Sequence, residues 1–331
     1  MIIVTLYYRD HDEPTMRVRD ALDKLQENYP HQLVLIDIAT EPSLQAIYST
    51  RVPVVQIGPY KLEGDVSQER LQIALGAARD RQTQLEKVDQ DAYRNLVKKG
   101  KTINSGDRLS YWISKNYIHV FNVLMAIYVG LPFLAPVLAR NGAELPATII
   151  YRVYGVLCHQ LAYRSYFLFG EQPYYPRELA GVPNTVTYEQ MSGKEAEDII
   201  EARSFIGNDV AGYKVALCER DVAMYLTMLA FGIVFWLTGK RIRSIPWYLW
   251  VVVGLGPIGL DGLSQLPSVI ANLPGWLPIR ESTPFLRTLT GGLFGLMTGW
   301  YLYPMIEETM GETRRLVARK IATAAQLADK E

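Results

Sequence analysis

Cysteine is scarce in this sequence. Two of the 331 residues are cysteine, Cys158 and Cys218. Two thiols are too few for a disulfide framework or a zinc ribbon. The cysteine count therefore leaves room for a single disulfide, or for one site that uses both sulfur atoms.

An excess of basic residues is also absent. Lys and Arg together number 34, as do Asp and Glu, so the formal net charge is zero. The basic residues cluster beside apolar segments instead of forming a stripe, which argues against a nucleic acid partner. A secretory signal peptide is not expected either, because the apolar run at the start is short and no basic residue precedes it.

Long apolar runs are missing up to about Arg108 and recur from Tyr117 onward. This contrast indicates a soluble first part and a membrane-embedded second part. We expect a soluble domain at residues 1–80, a helical or flexible linker at 81–116, a transmembrane domain at 117–306 and a cytosolic C-terminal helix at 307–331. The four predicted spans are Tyr117–Ala139, Val222–Thr238, Ile245–Leu266 and Phe285–Ile306.

The distribution of Lys and Arg predicts how the chain crosses the membrane. Basic clusters stand before the first span, between the second and third at Lys240, Arg241 and Arg243, and after the fourth. With four spans all three clusters lie on one side, which the positive-inside rule makes cytoplasmic. The sequence thus predicts a multi-pass protein of the cell (inner or cytoplasmic) membrane, in contact with the lipid bilayer. Both termini are expected to be cytoplasmic, with an outer loop at 140–221.

A further apolar segment, Ala147–Phe169, could be mistaken for a fifth span. It holds Arg152, His159 and Arg164, each of which is costly at mid-membrane. We therefore expect a helix that lies in the outer interface or re-enters from it. The predicted fold class is an α/β N-terminal domain followed by an all-α membrane domain of four transmembrane helices and this interfacial helix.

Nine polar residues map to one depth near the outer ends of the predicted spans. Their shared depth predicts an outward-facing pocket for a small ion or ligand. Asp261 and Arg287 could instead pair with each other, and Arg164 and Arg220 could contact lipid phosphates. The predicted pocket residues are Cys158, His159, Gln160, Arg164, Cys218, Arg220, Asp261, Gln265 and Arg287.

The two cysteines allow several interpretations. An oxidising outer face favours a structural disulfide between Cys158 and Cys218. A transition-metal site of Cys158, His159 and Cys218 requires a break in the helix, because adjacent residues of a helix point about 100° apart. The thiols could also be redox-active, or they could be buried and unreacted. No cofactor is certain from the sequence, and a transition metal is the candidate.

The first 80 residues predict the element order β-α-β-α-β-β-α. This order resembles the thioredoxin/glutaredoxin fold, and Pro53 in "RVPVV" matches the family's cis-proline. The family's Cys-x-x-Cys is replaced by "DHDEPTM", with Asp12 and Thr15 where the cysteines would stand. Without these thiols there is no thiol exchange. The resemblance therefore implies a docking or regulatory module for a membrane or cytosolic partner protein.

Four motifs in the second half, "CHQLAYRS", "CERD", "LDGLSQL" and "RESTPFLRTLTGGLFG", point to a family. From about Tyr117 to Ile306 the chain resembles bacterial and archaeal predicted integral membrane proteins of domain-of-unknown-function family 2085. Glu219 stands where a small residue is usual, and Asp221 where many members carry a further cysteine, which counts against a metal site. The matching positions are Cys158, His159, Gln160, Arg164, Ser165, Cys218, Arg220, Asp261, Gly262, Gln265, Arg287, Thr290 and Gly291.

The resemblance implies a fold and a residue set but no reaction. We favour a non-enzymatic membrane protein that binds or passes a small ion or ligand. Two competing hypotheses are a membrane thiol-disulfide oxidoreductase that uses Cys158 and Cys218, and an assembly subunit of a larger membrane complex.

Overall fold

The chain forms two compact units in a computed structural model that describes residues 2–40, 44–45, 48–88, 91, 100, 102–266 and 280–328. One unit comprises Met1–Asn116 and Glu308–Glu331, and the other comprises Tyr117–Glu307.

The first unit is built on a four-stranded sheet in the order β2-β1-β3-β4. The pair β1–β2 is parallel, and the pairs β1–β3 and β3–β4 are antiparallel. The mixed α/β character is confirmed, and the described elements follow one another as predicted; the second predicted helix, which falls near Ser43–Ser49, lies partly outside the described residues. The elements are β1 (Ile2–Tyr8), α1 (Glu13–Leu25), β2 (His31–Asp37), β3 (Val54–Ile57), β4 (Tyr60–Glu63) and α2 (Gln68–Val88).

The start of α1 is the place where the family resemblance led us to look for cysteines. Asp12 precedes the helix, and its Oδ2 accepts a hydrogen bond of 2.7 Å from the Thr15 hydroxyl. Glu13 adds a negative charge to the first turn, where the helix dipole favours it. The peptide bond between Val52 and Pro53 is cis, as the resemblance implies.

The C-terminal helix covers an edge of this sheet. The side-chain amide of Gln326 donates to the Leu35 carbonyl at 3.0 Å and accepts from the Leu35 N–H at 3.2 Å. Because β2 is an edge strand, its backbone groups would otherwise be open to another strand.

The second unit is largely helical. Two long helices, α3 and α9, are divided between the units: residues 117–140 of α3 and 284–307 of α9 belong to the second unit, and the rest of each helix belongs to the first. The elements are α3 (Ser105–Arg140), α4 (Glu144–Leu157), β5 (Ser165–Leu168), α5 (Tyr188–Ser192), α6 (Ile199–Ser204), β6 (Gly207–Asn208), β7 (Gly212–Cys218), α7 (Glu219–Leu237), α8 (Trp247–Leu263) and α9 (Pro284–Ala328).

Two helices among the described residues, α3 and α7, are long and apolar enough to cross a membrane. They contain the first and second predicted spans. The third predicted span lies on α8, which is a shorter apolar helix because the chain turns after Leu263. The fourth lies on α9, where glycine and threonine lower the mean hydropathy. By length and composition the structure therefore supports two spans where the sequence predicted four.

The prediction of an all-α membrane domain is wrong for the segment 140–221, which the sequence predicted as an outer loop. This segment contains a three-stranded antiparallel sheet in the order β5-β7-β6. The segment Ala147–Phe169 is not one helix, because α4 ends at Leu157 and the chain is extended at Cys158. With 14 residues, α4 is too short to cross a bilayer.

Glycines allow the helices of the second unit to pack closely. A Cβ atom at Gly254 would lie 3.0 Å from the Met297 Cβ, so α8 and α9 approach each other closely there. The closest approach is between α9 and α7. A Cβ atom at Gly295 would lie 2.0 Å from the Met224 carbonyl oxygen, and one at Gly291 would lie 2.4 Å from that of Arg220.

Candidate functional site

Three possible metal ligands meet where α4 ends and α7 begins. Cys158 follows α4, Cys218 is the N-cap residue of α7, and Asp221 lies in the first turn of α7. Their sulfur and carboxylate oxygen atoms all lie within 4.8 Å of one another. Both cysteines are free, so the structure does not contain the predicted disulfide. The Cys218 sulfur instead accepts a hydrogen bond as the cap of α7.

Backbone N–H groups support both sulfur atoms. The Asp221 N–H donates to the Cys218 Sγ at 3.5 Å. The Gln160 backbone N–H helps to lower the pKa of the Cys158 thiol, and Gln160 has a left-handed backbone with φ of 52°. The sequence required a break in the helix for a metal site, and the helix does end here.

The two thiols differ in pKa. The hydrogen bond from Cys218 lowers the pKa of Cys158. The same hydrogen bond, together with burial, raises the pKa of Cys218 well above its usual value. Cys158 is therefore the thiol that ionises first.

A buried lysine stands behind this cluster. The Lys214 side chain on β7 is 1% exposed, and its Nζ donates to the carbonyls of Gln160 at 2.8 Å and Arg203 at 2.6 Å. Burial lowers the pKa of Lys214 to about 7, and the charge of Cys158 opposes this shift. Lys214 also lines a cavity of about 470 Å³ together with Arg152 and Arg203.

His159 and Gln160 have different positions from those the sequence predicted. His159 is exposed and is not one of the three clustered groups. Gln160 is buried, and its amide nitrogen donates to the carbonyls of Tyr151 at 3.0 Å and Ala216 at 2.8 Å. These contacts join α4 to β7.

A second group of polar residues surrounds Asp261, which is 4% exposed. Its carboxylate pairs with Arg220 and lies 3.4 Å from Arg280. The Ser282 hydroxyl donates to it at 3.0 Å and the Gln265 amide at 3.3 Å. Arg220, Asp261 and Gln265 are thus brought together as predicted.

A third group surrounds Arg287, which is 2% exposed. Arg287 pairs with Glu281 and lies 3.3 Å from Glu219. Glu281 also accepts from Arg164 at 2.7 Å and lies 3.5 Å from Arg177. The hypothesis that Asp261 and Arg287 pair with each other is wrong, because each has its own oppositely charged partners. Arg164 forms an ion pair with the Glu281 carboxylate.

Some buried polar atoms of these groups have no hydrogen-bond partner in the described part of the chain. They include Oε1 of Glu219, whose residue is fully buried, Oε2 of Glu281 and Nε of Arg220. Such atoms are costly to bury unless water or an ion satisfies them.

The sequence interpretation missed several residues of the site. Glu219 and Asp221 were noted as departures from a family pattern but not as site residues. Their positions next to Cys218 at the start of a predicted helix were the available signal, because N-terminal helix residues face a common cap region. Lys214 was detectable as a lone charge in the apolar stretch "YKVALC". Arg177, Arg280 and Glu281 lie in loops whose pairing no local pattern reveals.

Comparisons with known proteins agree with a membrane location. Residues 200–301 match the model of a family described as "Predicted membrane protein (DUF2085)". The chain is similar to the uncharacterized protein MJ1492 of Methanocaldococcus jannaschii, at 25% identity over 205 residues. That alignment covers 59% of this chain and 96% of the relative. No solved structure matches the chain. The family match and the two apolar helices support a membrane protein that contacts the lipid bilayer.

Proposed function

We propose that this chain is a multi-pass protein of the cytoplasmic membrane that binds or passes a small ion or ligand at a polar site on its outer side. In this proposal α8 and the first part of α9 cross the membrane together with α3 and α7. Helices below the usual length and hydropathy can do so when other helices cover them. Both termini are then cytoplasmic.

One observation carries the proposal. Four consecutive residues at the start of α7 contact polar groups from separate segments: Cys218 and Asp221 lie beside Cys158, Glu219 lies beside Arg287, and Arg220 pairs with Asp261. Buried ionisable groups in a membrane protein are expensive and mark ion or substrate sites. The Oε1 of buried Glu219 has no hydrogen-bond partner among the described residues, and it could be a ligand of such an ion.

The four-stranded domain of the first unit is proposed as a thioredoxin-like docking module. Its strand order, its helix α1 between two parallel strands and the absence of both cysteines support this assignment. The β2 edge is already covered by Gln326, so a partner would use another surface.

A second candidate function is thiol-disulfide exchange. The free, hydrogen-bonded pair of Cys158 and Cys218 favours it, because an ionised Cys158 next to a second thiol is the arrangement from which a disulfide forms. Formation of the Cys158–Cys218 disulfide releases two electrons and two protons, so it requires an oxidant such as a quinone or the disulfide of a partner protein, and a partner thiol could reduce it again.

Thermal unfolding of the full-length protein in detergent tests the ion-binding function. The probes are Na⁺, Mg²⁺, Zn²⁺, chloride and inorganic phosphate, each added singly to chelator-treated, reduced protein. We expect at least one probe to raise the unfolding midpoint by several degrees, because an ion that binds the folded state stabilises it. The shift should be lost in Asp261→Asn or in Glu219→Gln, which conserves side-chain volume.

Asp209→Asn is the matched control, because Asp209 is an exposed carboxylate of the same unit. It should respond as the wild type does. If none of the five probes moves the wild-type midpoint, or if every shift survives in both the Asp261 and the Glu219 variants, the proposal is wrong.

A further inference from the structure

The geometry points to a transition-metal site formed by Cys158, Cys218 and Asp221, and we propose that it binds a divalent ion such as Zn²⁺ with one coordination position left open. This inference goes beyond the proposed function, because it adds a metal site beside the polar groups around Asp261 and Glu219, and it rests on that function only for the role of the bound metal.

The first argument is the donor set. Two sulfur atoms and one carboxylate oxygen within 4.8 Å of one another can surround a single ion, since Zn²⁺ binds sulfur at about 2.3 Å and carboxylate oxygen at about 2.0–2.2 Å. Thiolate sulfur selects zinc-like ions over Mg²⁺ and Ca²⁺, which prefer oxygen alone. Three protein ligands leave the fourth tetrahedral position for water or an external ligand.

The second argument is the support that each ligand receives. The Cys218 sulfur accepts a hydrogen bond from the Asp221 backbone N–H at 3.5 Å, and Cys158 directly follows α4 and precedes the buried Gln160 by two residues. These groups lie in rigid surroundings, because the buried Gln160 side chain joins α4 to β7 and Cys218 caps α7. Groups that orient ligands in this way are a regular part of metal sites.

The third argument is charge. Two thiolates and one carboxylate around a divalent ion leave one net negative charge. Lys214 is buried close by, and its Nζ donates a hydrogen bond to the Gln160 carbonyl. No carboxylate among the described residues forms an ion pair with it. An ammonium group at this position offsets the remaining charge, which explains why a lysine occupies an otherwise apolar strand.

Binding of the ion is balanced by release of protons. Each thiol gives its proton to solvent when its sulfur forms a bond to the metal, so affinity increases with pH. No electron is transferred.

The test uses Co²⁺ as a spectroscopic probe on full-length protein that has been reduced, stripped of metal with a chelator and kept under argon. We expect one Co²⁺ per chain, with absorption from thiolate-to-cobalt charge transfer, and displacement of Co²⁺ by Zn²⁺. Cys218→Ser should abolish most of this absorption. Asp221→Asn should keep it while weakening affinity at least tenfold, because both sulfur ligands remain.

Two further variants make the test specific. Asp209→Asn, the exposed carboxylate control, should bind Co²⁺ as the wild type does. His159→Ala separates the structural ligand set from the one predicted from sequence: unchanged binding supports Asp221 as the third ligand, and lost binding overturns that assignment.

The outcomes also separate this inference from the proposed function. Absence of charge-transfer absorption from reduced, folded wild-type protein would overturn the metal site, even if another probe still stabilised the protein through Asp261 and Glu219. Conversely, Co²⁺ binding with no response to any ion that depends on Asp261 or Glu219 would support the metal site and reject the wider polar site.

Discussion

At the scale of single residues, Lys214 has the most unusual environment. It is buried on a strand, its Nζ donates to the Gln160 and Arg203 carbonyls, and burial lowers its pKa to about 7. An unfolded chain restores the ordinary value of 10.5, so between these limits the unfolded state holds more protons than the folded state. The cost of burying the ammonium is fully present below about pH 7 and is relieved as the pH rises.

We therefore predict that metal-free wild-type protein becomes more stable from pH 7 to pH 9. The contribution of Lys214 approaches about 1.4 kcal/mol per pH unit. Replacement by Met should remove this part of the slope in denaturant unfolding, while the contribution of the thiols remains in both proteins. Lys194→Met, at a partly exposed lysine, is the control, and an unchanged slope in Lys214→Met would contradict the prediction.

Glu281 is the residue on which most positive charge converges. Its buried carboxylate contacts Arg164, Arg177 and Arg287. Glu281→Gln should destabilise the protein by about 3–5 kcal/mol in equilibrium unfolding, because it leaves buried arginine charge uncompensated.

The control for Glu281 is Glu197, which pairs with Arg177 but has a side chain that is 74% exposed. Glu197→Gln should cost less than about 1 kcal/mol. Equal effects of the two substitutions would show that the buried network does not stabilise the fold.

The sequence predicts Arg220, Asp261 and Arg287 as pocket residues, because a charged residue is unusual in an apolar segment. It misassigned their partners, because depth along a helix does not tell which neighbouring helix a side chain faces. Asp221 is not assigned to the site from the sequence, because a carboxylate at the start of a helix is ordinary. Only the fold shows that it approaches two thiols.

At the scale of elements, the contact between α7 and α9 depends on glycine. A Cβ atom at Gly295 would lie 2.0 Å from the Met224 carbonyl oxygen, an atom that cannot move away without moving the helix. We predict that Gly295→Ala separates the two helices and lowers stability by about 1–3 kcal/mol or more, measured by thermal unfolding in detergent.

Gly292, one turn away on the same helix, is the matched control. A Cβ atom there would lie 3.5 Å from the Thr227 methyl group, an ordinary contact. Gly292→Ala should leave stability within about 1 kcal/mol of the wild type, since alanine favours a helix. If both alanine variants behave alike, close backbone packing is not what glycine provides.

The elements of the first unit were predictable because β-branched residues and helical spacing follow each other in short, regular segments. Strand β7 was not predictable, because its residues Gly212–Cys218 directly precede an apolar helix and lie within the segment predicted as a loop. The break after Leu157 was also missed, because hydropathy continues through "CHQLAY" while the backbone changes direction.

At the scale of the whole molecule, the proposed function depends on which side of the membrane the polar site faces. The positive-inside rule places the start of α7 outside if α3 and α7 alone cross, and equally if all four apolar segments cross, because the basic clusters lie on one side in both cases. Two of them, α3 and α7, qualify by length and composition. If α3 and α7 alone cross, the basic cluster at 240–243 and the basic cluster after residue 306 lie on the same side of the membrane, because no span separates them.

Cys158 and Cys218 offer a direct measurement, because they are the two cysteines of the chain. Intact cells expressing the protein are reduced and treated with a membrane-impermeant maleimide, with and without added Zn²⁺, and the Cys158→Ser/Cys218→Ser double variant gives the background. The account predicts labelling from outside that Zn²⁺ suppresses. Labelling that occurs in inside-out vesicles but not in intact cells would place the site on the cytoplasmic side and contradict the account.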